Sequence, residues 1–592
     1  MLDSPAEKRA QPPAADNPVR RFFRDNGFAI VLGAVLLWLV GAPIAFLVRM
    51  SFSTGQPTAP GDFTFENYGK AFGVDAFWPA LESTVVYAVG VSIVSMTIAI
   101  AMAWLVERTD MPGRNLAWAV MLLPLAMPGF LASISYVVLG APKTGLVNQL
   151  LRAILEPFGY TADDGPLNIY SMGGMIFVEG VRGATTIFLM IVGAFRLMDP
   201  SLEDAAIMSG SGRFEILRKV TIPLLRPALL GALIFAVVGN LQDFDTPLVL
   251  GLPAGIFILP TLIYFVGYSG SLPNWGVASV YATMFVILMA VLTLVYHRYA
   301  LRGSRRYATV LGKGYRPQRI KLGRWRYAAL GFVGVFAMLS AGLPFLSLLW
   351  TSVAPGAFRE PTWSALREAD FSAYVDLFGS PAFRQAAYNT IGVSLLAGIA
   401  TMALAIVCAW AVVRLRVRGS TLLDSMAFIP NAIPSVALGT ALVVFYLSPM
   451  GRILPIYGTW ALLVIAFVIN YIAYASRVSN GAMSQLGAEL EEAAWVSGHG
   501  RLSTLVKVTT PLLRPALLAG VLWIIAHAAR NLTLPLLLST SGTQTLSVHL
   551  WTLWDHQTEY TEAAAIGVIM MVALGGLALF ARRLMVRGTG NS

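Results

Sequence analysis

The sequence predicts an all-α polytopic membrane protein, with about 12 transmembrane helices arranged as two parallel six-helix repeats. Three observations lead to this fold class. Of the 592 residues, 56% are apolar and only 12% are charged, about half the charge density of a soluble globular protein. The apolar residues occur in blocks long enough to cross a hydrocarbon layer about 30 Å thick. In addition, the second half of the chain repeats a polar segment of the first half.

Twelve apolar segments are predicted to span the membrane as helices. The first follows a polar, basic segment over 1–26. Its length of 22 residues exceeds that of a typical secretory signal, so we interpret it as an uncleaved span. The predicted spans cover 27–48, 82–106, 116–139, 172–195, 224–250, 276–297, 327–350, 386–412, 422–447, 459–482, 512–538 and 562–581.

The distribution of basic residues predicts that both chain ends are cytoplasmic. With this orientation, 32 of the 42 Lys and Arg residues fall on the cytoplasmic side, eight fall outside or at the outer rim, and two lie within spans. The net charge of +11 is therefore a topology signal that also suits contact with anionic lipid headgroups. We expect the lipid bilayer as a partner and no nucleic acid.

The predicted spans and linkers divide the chain into four regions. The segment from His297 to Arg326 holds ten Lys or Arg residues and no acidic residue, which indicates a cytoplasmic connection between two membrane domains. The predicted regions are a cytoplasmic tail over 1–26, a first domain of six spans over 27–297, a basic linker over 298–326 and a second domain of six spans over 327–592.

The two membrane domains are related by an internal repeat. Residues 202–230 and 490–518 are identical at 20 of 29 positions without a gap, at an offset of 288. Since six spans separate equivalent positions, both copies have the same orientation, and we expect an axis along the membrane normal to relate them. A second match, at an offset of 306, pairs Ala103–Trp104 with Ala409–Trp410, Gly113 with Gly419, Pro124 with Pro430 and Pro128 with Pro434.

The best-matched part of the repeat is polar and falls in two predicted cytoplasmic loops, at about 196–223 and 483–511. Each copy predicts a short amphipathic helix, a glycine turn, a second helix and a break at Pro223 or Pro511. Acidic residues in the first turn interact favourably with the helix dipole, and glycine at the turn permits positive φ. Two similar loops on one face of the protein indicate a partner that has two equivalent binding sites.

The spacing in these loops resembles the signature loop of permease subunits of bacterial ABC importers. That pattern is E-A-A, three residues, G, nine residues, then I-x-L-P. Here Asp204 replaces the glutamate in the first copy, Val replaces Ile in both, and Thr510 replaces an apolar residue. The resemblance implies that these residues couple to an ATPase: Glu203, Asp204, Ala205, Ala206, Gly210, Pro223, Glu491, Glu492, Ala493, Ala494, Gly498 and Pro511.

The resemblance further implies a type I importer fold in a bacterial inner membrane. Each loop would then be a coupling helix seated on one of two cytoplasmic ATPase subunits, and a periplasmic binding protein would deliver the cargo. Among families with both halves in one chain, the sequence looks most like the ferric-iron type. Thiamine and phosphonate permeases share this build and are alternatives, so the cargo stays open between them.

The sequence contains no site for chemistry of its own. It has no G-x-x-x-x-G-K-[ST] phosphate loop, no nucleophile–base pair and no metal-ligand spacing among its five scattered histidines. Its one cysteine, Cys408, lies in an apolar stretch. We therefore expect no enzyme, no catalytic residue and no cofactor or metal in this chain, with ATP and magnesium bound by the partner ATPase.

Ionisable residues within spans are candidates for the translocation path or a gate because burying them in lipid is costly. Glu179 and Arg182 lie three apart on one face of the fourth span, and a buried structural ion pair explains them as well. A second group lies near the outer end of the fifth span, where interfacial solvation is the alternative explanation. The candidates are Glu179, Arg182, Asp243, Asp245 and, at the repeat positions of the second half, Arg530 and Asn531.

A transporter of 6+6 design that is driven by an ion gradient is the alternative from a different class. It would need an acidic residue at mid-membrane for coupling, and Glu179 is the candidate. The twin prolines, Pro124 with Pro128 and Pro430 with Pro434, are predicted to break the third and ninth helices. Such kinks are tolerated where neighbours satisfy the freed carbonyls, and packing alone would also explain them.

Overall fold

The computed structural model describes residues 18–198, 201–269, 273–304, 320–354, 356, 358–414 and 419–589. Within these ranges the chain forms helices and three isolated β-bridges, and no β-strand. The predicted all-α class is confirmed. Residues 1–17 of the predicted tail and 305–319 of the predicted linker lie outside the described residues.

Nine described helices are long and apolar enough to cross a membrane. They correspond to nine of the twelve predicted spans, which are numbered here in chain order. Span 1 is Gly27–Ser51, span 2 Phe77–Arg108, span 4 Met172–Leu197, span 5 Phe214–Asn240, span 6 Trp275–Tyr296, span 7 Trp325–Val353, span 8 Pro381–Arg414, span 10 Trp460–Gln485 and span 12 Tyr560–Phe580.

Bent helix pairs supply the other three spans. Span 3 is Arg114–Ala126 with Gly129–Gly140, bent by 96°, and span 9 is Ser420–Ala432 with Ser435–Leu447, bent by 103°. The twin prolines lie at these bends, so the predicted breaks are confirmed. Span 11 is Arg501–Leu512 with Arg514–Ala529, bent by 79°.

The fifth and eleventh spans end earlier than the hydropathy indicates. Span 5 ends at Asn240 and not at residue 250, and span 11 ends at Ala529 and not at residue 538. Polar residues interrupt the helix at these points, and the apolar residues that follow form separate short helices. After span 5 these are Pro247–Ala254 and Leu259–Tyr268, a pair bent by 75° that the sequence did not predict.

The predicted helix break at Pro223 is wrong, and the break predicted at Pro511 falls two residues later. A π-helical turn, Leu217–Thr221 or Leu505–Thr509, precedes each proline, and the helix continues through it. Proline lacks an N–H group and its ring clashes with the carbonyl four residues earlier. The wider π turn accommodates this clash. In span 11 the actual break falls at Leu513, after Pro511.

The first span of each half packs against the other half. Span 1 contacts spans 6 and 9, and span 7 contacts spans 12 and 3. The Phe445 ring of span 9 lies 5.6 Å from that of Trp38 and 6.0 Å from that of Phe46. In the related contact, the Tyr136 hydroxyl donates to the Leu339 carbonyl at 2.6 Å. The two six-helix halves are thus interleaved through their first spans.

Shorter helices connect the spans. Two of them, the first loop helix Ser201–Met208 and the second loop helix Glu489–Val496, follow spans 4 and 10 and lie on the same side of the bundle, called here the loop face. The others are Glu66–Phe72, Leu146–Leu155, Trp363–Glu368, Ser372–Gly379, Thr533–Leu538 and Leu546–Thr552.

The described ends of the predicted linker extend the helices and pair with the loop face. The helix of span 6 continues to Ser304, beyond the predicted boundary at 297. At the other end, the Ile320 amide donates to the Arg108 carbonyl at 3.0 Å, and the Asp110 amide donates to the Ile320 carbonyl at 3.2 Å. The return segment of the linker is therefore fixed against the end of span 2.

Candidate functional site

Each of the two repeated loops has a glycine turn between two helices. Gly210 has φ of +83° and Gly498 has φ of +86°, which is the left-handed region that favours glycine. Added Cβ atoms would meet no atom within 4 Å at either position. The predicted positive φ is confirmed, whereas no described residue approaches either glycine closely.

Both loops expose apolar side chains at equivalent positions on either side of the glycine. Met208 is 88% and Phe214 is 73% exposed in the first loop, and Val496 is 89% and Leu502 is 65% exposed in the second. These pairs are related by the repeat offset of 288. Apolar surface that a chain exposes in this way marks an interaction site. The sequence analysis did not single out these residues.

The predicted coupling residues divide into an outer and an inner set. Glu492, Ala205 and Ala493 are exposed, whereas Ala494 is buried. Ala206 and Pro223 are half-buried, and Pro511 is exposed. The side chain of Asp204 lies outside the described residues. The outer set shares its surface with the exposed apolar pairs.

Glu203 points inward from the first loop helix and is only 2% exposed. Arg108, at the end of span 2, pairs with it, and the Arg108 Nε donates to Glu203 Oε2 at 2.9 Å. Thr221, the last residue of the π turn in span 5, donates its hydroxyl to Glu203 Oε1 at 2.5 Å. Arg108 also donates to the Met198 carbonyl at the end of span 4, at 3.3 Å.

The second half repeats this arrangement. Glu491 is 3% exposed and accepts from Arg414 Nε at 3.1 Å and from Thr509 Oγ1 at 2.9 Å. Arg414 also donates to the carbonyls of Leu486 at 2.8 Å and Met483 at 3.1 Å. Each set of arginine, glutamate and threonine is called here a loop clamp: Arg108, Glu203 and Thr221 in the first half, and Arg414, Glu491 and Thr509 in the second.

The clamp arginines were missed because the sequence analysis counted them only as topology signals. Both arginines end a span, and they are related by the offset of 306 that already pairs Gly113 with Gly419. The partner glutamates are related by the offset of 288. An arginine that recurs at the offset of 306 and a glutamate that recurs at the offset of 288 were the signal in the sequence for a pair of opposite charges in each half.

A second group of ionisable side chains lies within the bundle of the first half. Glu179 is 3% exposed and accepts a bidentate bond from Arg182, with Nε to Oε2 at 2.7 Å and Nη2 to Oε1 at 2.6 Å. Thr246 donates to Glu179 Oε2 at 3.3 Å. The repeat equivalents of the ion pair are Phe467 and Asn470, so this pair exists in one half only, unlike the loop clamps.

Two aspartates that follow span 5 lie beside this ion pair. The Tyr87 hydroxyl donates to Asp243 Oδ2, and Thr533 Oγ1 donates to Asp245 Oδ1 at 3.2 Å. Asp245 and Thr533 are repeat equivalents at the offset of 288. Equivalent residues of two related halves can touch each other only near the axis that relates them. The hydrogen bond between them therefore marks the centre of the interface between the halves.

The candidates of the second half, Arg530 and Asn531, bond to backbone groups near this site. Within the described part of the chain, Arg530 has no ion pair with Asp243 or Asp245. The Arg530 Nη1 donates instead to the Leu125 carbonyl at 2.6 Å. This carbonyl lies at the bend of span 3, where the regular α-helical hydrogen bonds are interrupted. Asn531 Oδ1 accepts from the Leu534 amide at 3.0 Å and thus begins the next helix.

Two neighbouring cavities lie beside this group. A cavity of about 250 Å³ is lined by Glu179, Arg182 and Asp243, together with Gln242. A larger cavity of about 930 Å³ shares Gln242 with it and is lined by residues of both halves. The side chains that line the larger cavity include Phe235, Gln242, Asn431, Asn470, Tyr471 and Trp523.

The large cavity lies on the loop-face side of the contact between Asp245 and Thr533. Its lining extends to Tyr296 and Arg477, near the ends of spans 6 and 10 that point to the loop face. Among the described residues, no group of three or more His, Cys, Asp or Glu side chains is placed to hold a metal ion.

Comparison with known proteins identifies related sequences. The profile of a family described as "Binding-protein-dependent transport system inner membrane component" matches residues 95–307 and 402–590, once in each half. A ferric transport system permease protein of Actinobacillus pleuropneumoniae is 26% identical over 94% of this chain and 78% of its own length. A galactooligosaccharides transport system permease protein of Bacillus subtilis is 26% identical, over 43% of this chain and 66% of its own.

Among solved structures, the chain is similar to part of a bacterial ABC transporter involved in the import of the acidic polysaccharide alginate. The two share 20% sequence identity, with a TM-score of 0.37, over 44% of this chain and 94% of that one.

Proposed function

Since this chain belongs to the family of binding-protein-dependent transport system inner membrane components, and is thus the permease subunit of an ABC importer, we propose that it moves ferric iron across a bacterial inner membrane. In this proposal the single chain supplies both halves of the path, and both termini are cytoplasmic. A periplasmic binding protein delivers the cargo, and two copies of a separate ATPase bind the loop face.

The two repeated loops support the proposal that two ATPase subunits bind this chain. Each presents one exposed apolar pair, Met208 with Phe214 or Val496 with Leu502, around a glycine turn. Two equivalent surfaces on one face suit a partner with two identical subunits. ATP and magnesium would be bound by that partner, and this chain would convert the closure of the two ATPase subunits into a conformational change.

The contact between the halves supports a path through their interface. The cavity of about 930 Å³ is lined by both halves, and the hydrogen bond between Asp245 and Thr533 lies on its far side from the loop face. We infer that this contact closes the path to the outside in the described conformation. Glu179, Arg182 and Asp243 line the adjoining cavity, and Arg530 fixes the bend of span 3 beside it.

The extent of the match supports ferric iron as the cargo. The ferric permease matches nearly the whole chain, whereas the sugar permease matches less than half of it. Thiamine and phosphonate stay alternatives.

Uptake of radiolabelled ferric iron tests the cargo. Iron-starved cells that lack this gene, and any second iron importer, are expected to lose uptake, and the intact chain should restore it. A matched assay with labelled thiamine should show no difference between the two strains. Unchanged iron uptake in the deletion strain would contradict iron as the cargo, and a loss of thiamine uptake would replace it with thiamine.

A carrier that is driven by an ion gradient is less well supported. Such a carrier would use Glu179 as the acid that binds and releases the coupling ion, but both oxygens of Glu179 accept hydrogen bonds from Arg182 at 2.6 and 2.7 Å. Transport that continues in cells depleted of ATP but with an intact ion gradient would favour this alternative.

A further inference from the structure

The loop clamps connect four separate elements in each half. In the first half, Arg108 comes from span 2, Met198 follows span 4, Glu203 belongs to the first loop helix and Thr221 belongs to span 5. The guanidinium group lies at the centre, and Arg108 as a whole is 4% exposed. A loop helix held in this way cannot shift without moving the ends of the three spans or breaking the clamp.

The clamp is also a polar arrangement that recurs in both halves. The arginines are related by the offset of 306, and the glutamates, the threonines and the carbonyls of Met198 and Leu486 by the offset of 288. By contrast, the intramembrane ion pair of Glu179 and Arg182 is replaced by Phe467 and Asn470 in the second half. Because the clamp occurs in both halves, as the loop helices do, we assign it to the function of the loop helices and not to contact with the cargo.

Local backbone geometry supports the same role. Thr221 and Thr509 are each the last residue of a π turn, Leu217–Thr221 and Leu505–Thr509. Other described spans also contain π turns, for example Leu37–Gly41 in span 1, so the contact that these two turns make is what distinguishes them. Here the π turn brings the threonine hydroxyl to the buried carboxylate, at 2.5 Å in the first half and 2.9 Å in the second.

A buried ion pair is not in itself a strong source of stability, because desolvation offsets much of the attraction. Apolar residues of similar size would fill the same space. Two charged pairs that recur in both halves therefore indicate a requirement for a specific geometry, since a planar guanidinium group fixes both the distance and the direction of its bonds.

We propose that Arg108 and Arg414 are positioning residues that make each loop helix move as one body with the ends of spans 2, 4 and 5, or of spans 8, 10 and 11. This inference rests on the proposed function, since it assumes that an ATPase moves the loop helices. The clamps would then transmit that movement to the spans that line the path. Without them, the loop helices could follow the ATPase while the spans remain in place.

The test is the number of cargo ions transported per ATP hydrolysed, measured in proteoliposomes with the full chain, its ATPase and the loaded binding protein. Two double variants are compared with the wild type. The arginine variant combines Arg108→Gln and Arg414→Gln, and the threonine variant combines Thr221→Val and Thr509→Val. The threonine variant keeps the side-chain shape and guards against misfolding of the first. We expect the arginine variant to lower the ratio by about tenfold and the threonine variant to lower it by a smaller factor.

This ratio separates coupling from folding. A misfolded fraction lowers transport and hydrolysis together and leaves their ratio unchanged. The matched control is Thr97→Val in span 2, whose exposed hydroxyl donates to the Ile93 carbonyl of the same helix at 2.7 Å, and it should keep the wild-type ratio. If both clamp variants keep the wild-type ratio, the positioning role is wrong. If the wild type itself shows no hydrolysis that the cargo stimulates, the proposed function fails instead.

Discussion

Replacing Gly498 with valine is expected to reduce cargo uptake to about a tenth or less, while the chain still inserts into the membrane at normal levels. The φ of +86° is unfavourable for a β-branched residue, at a cost of about 1–3 kcal/mol. The turn would relax to another conformation and change the placement of Val496 relative to Leu502. Uptake and the amount of chain in membranes are the two measurements.

Two substitutions in the same turn serve as controls. Asparagine tolerates the left-handed region, so Gly498→Asn should retain much of the uptake. Gly500 has φ of −68° and open space around it, so Gly500→Ala should behave as the wild type. If Gly498→Val transports normally, or if Gly500→Ala fails equally, the turn does not set the docking surface.

Replacing Arg182 with methionine is expected to destabilise the chain by about 3 kcal/mol. The Arg182 side chain is 29% exposed and that of Glu179 only 4%. The substitution leaves this buried carboxylate without its cation and close to Asp243 and Asp245, and an unpaired buried charge is strongly unfavourable. Thermal unfolding of the detergent-purified chain measures the effect. The double variant Glu179→Gln with Arg182→Met removes both charges and should recover most of the lost stability.

An exposed pair provides the comparison for this prediction. Arg359 and Glu368 are 2.7 Å apart, with side chains 37% and 54% exposed. Because water screens such pairs, Arg359→Met should cost about 0–1 kcal/mol. Equal stability of the Arg182 and Arg359 variants would mean that the intramembrane pair is solvated rather than buried.

Much of the fold follows from the sequence because the membrane imposes a simple length and hydropathy rule. Eight of the nine unbroken spans and the proline bends at Pro124 and Pro430 agree with their predicted positions. The ends of spans 5 and 11 do not. A hydropathy window joins the apolar residues on either side of a short polar segment, although that segment ends the helix.

The candidate site was predictable where the chain repeats itself. The glycine turns and the two loop helices follow from the 20 identities between the copies. The clamps were not predicted, because a pairing between distant residues such as Arg108 and Glu203 leaves no local pattern. The contact between Asp245 and Thr533 likewise depends on how the two halves pack, and the sequence gives their equivalence but not their proximity.

The stoichiometry of the purified complex tests the central claim most directly. Native mass spectrometry of the tagged chain, isolated with its ATPase, should show one copy of this chain with two copies of the ATPase. The double variant Gly210→Val with Gly498→Val should lose both ATPase copies and remain a single chain. A complex with two copies of this chain, or with only one ATPase at full transport activity, would contradict the account of one chain that forms both halves of the path.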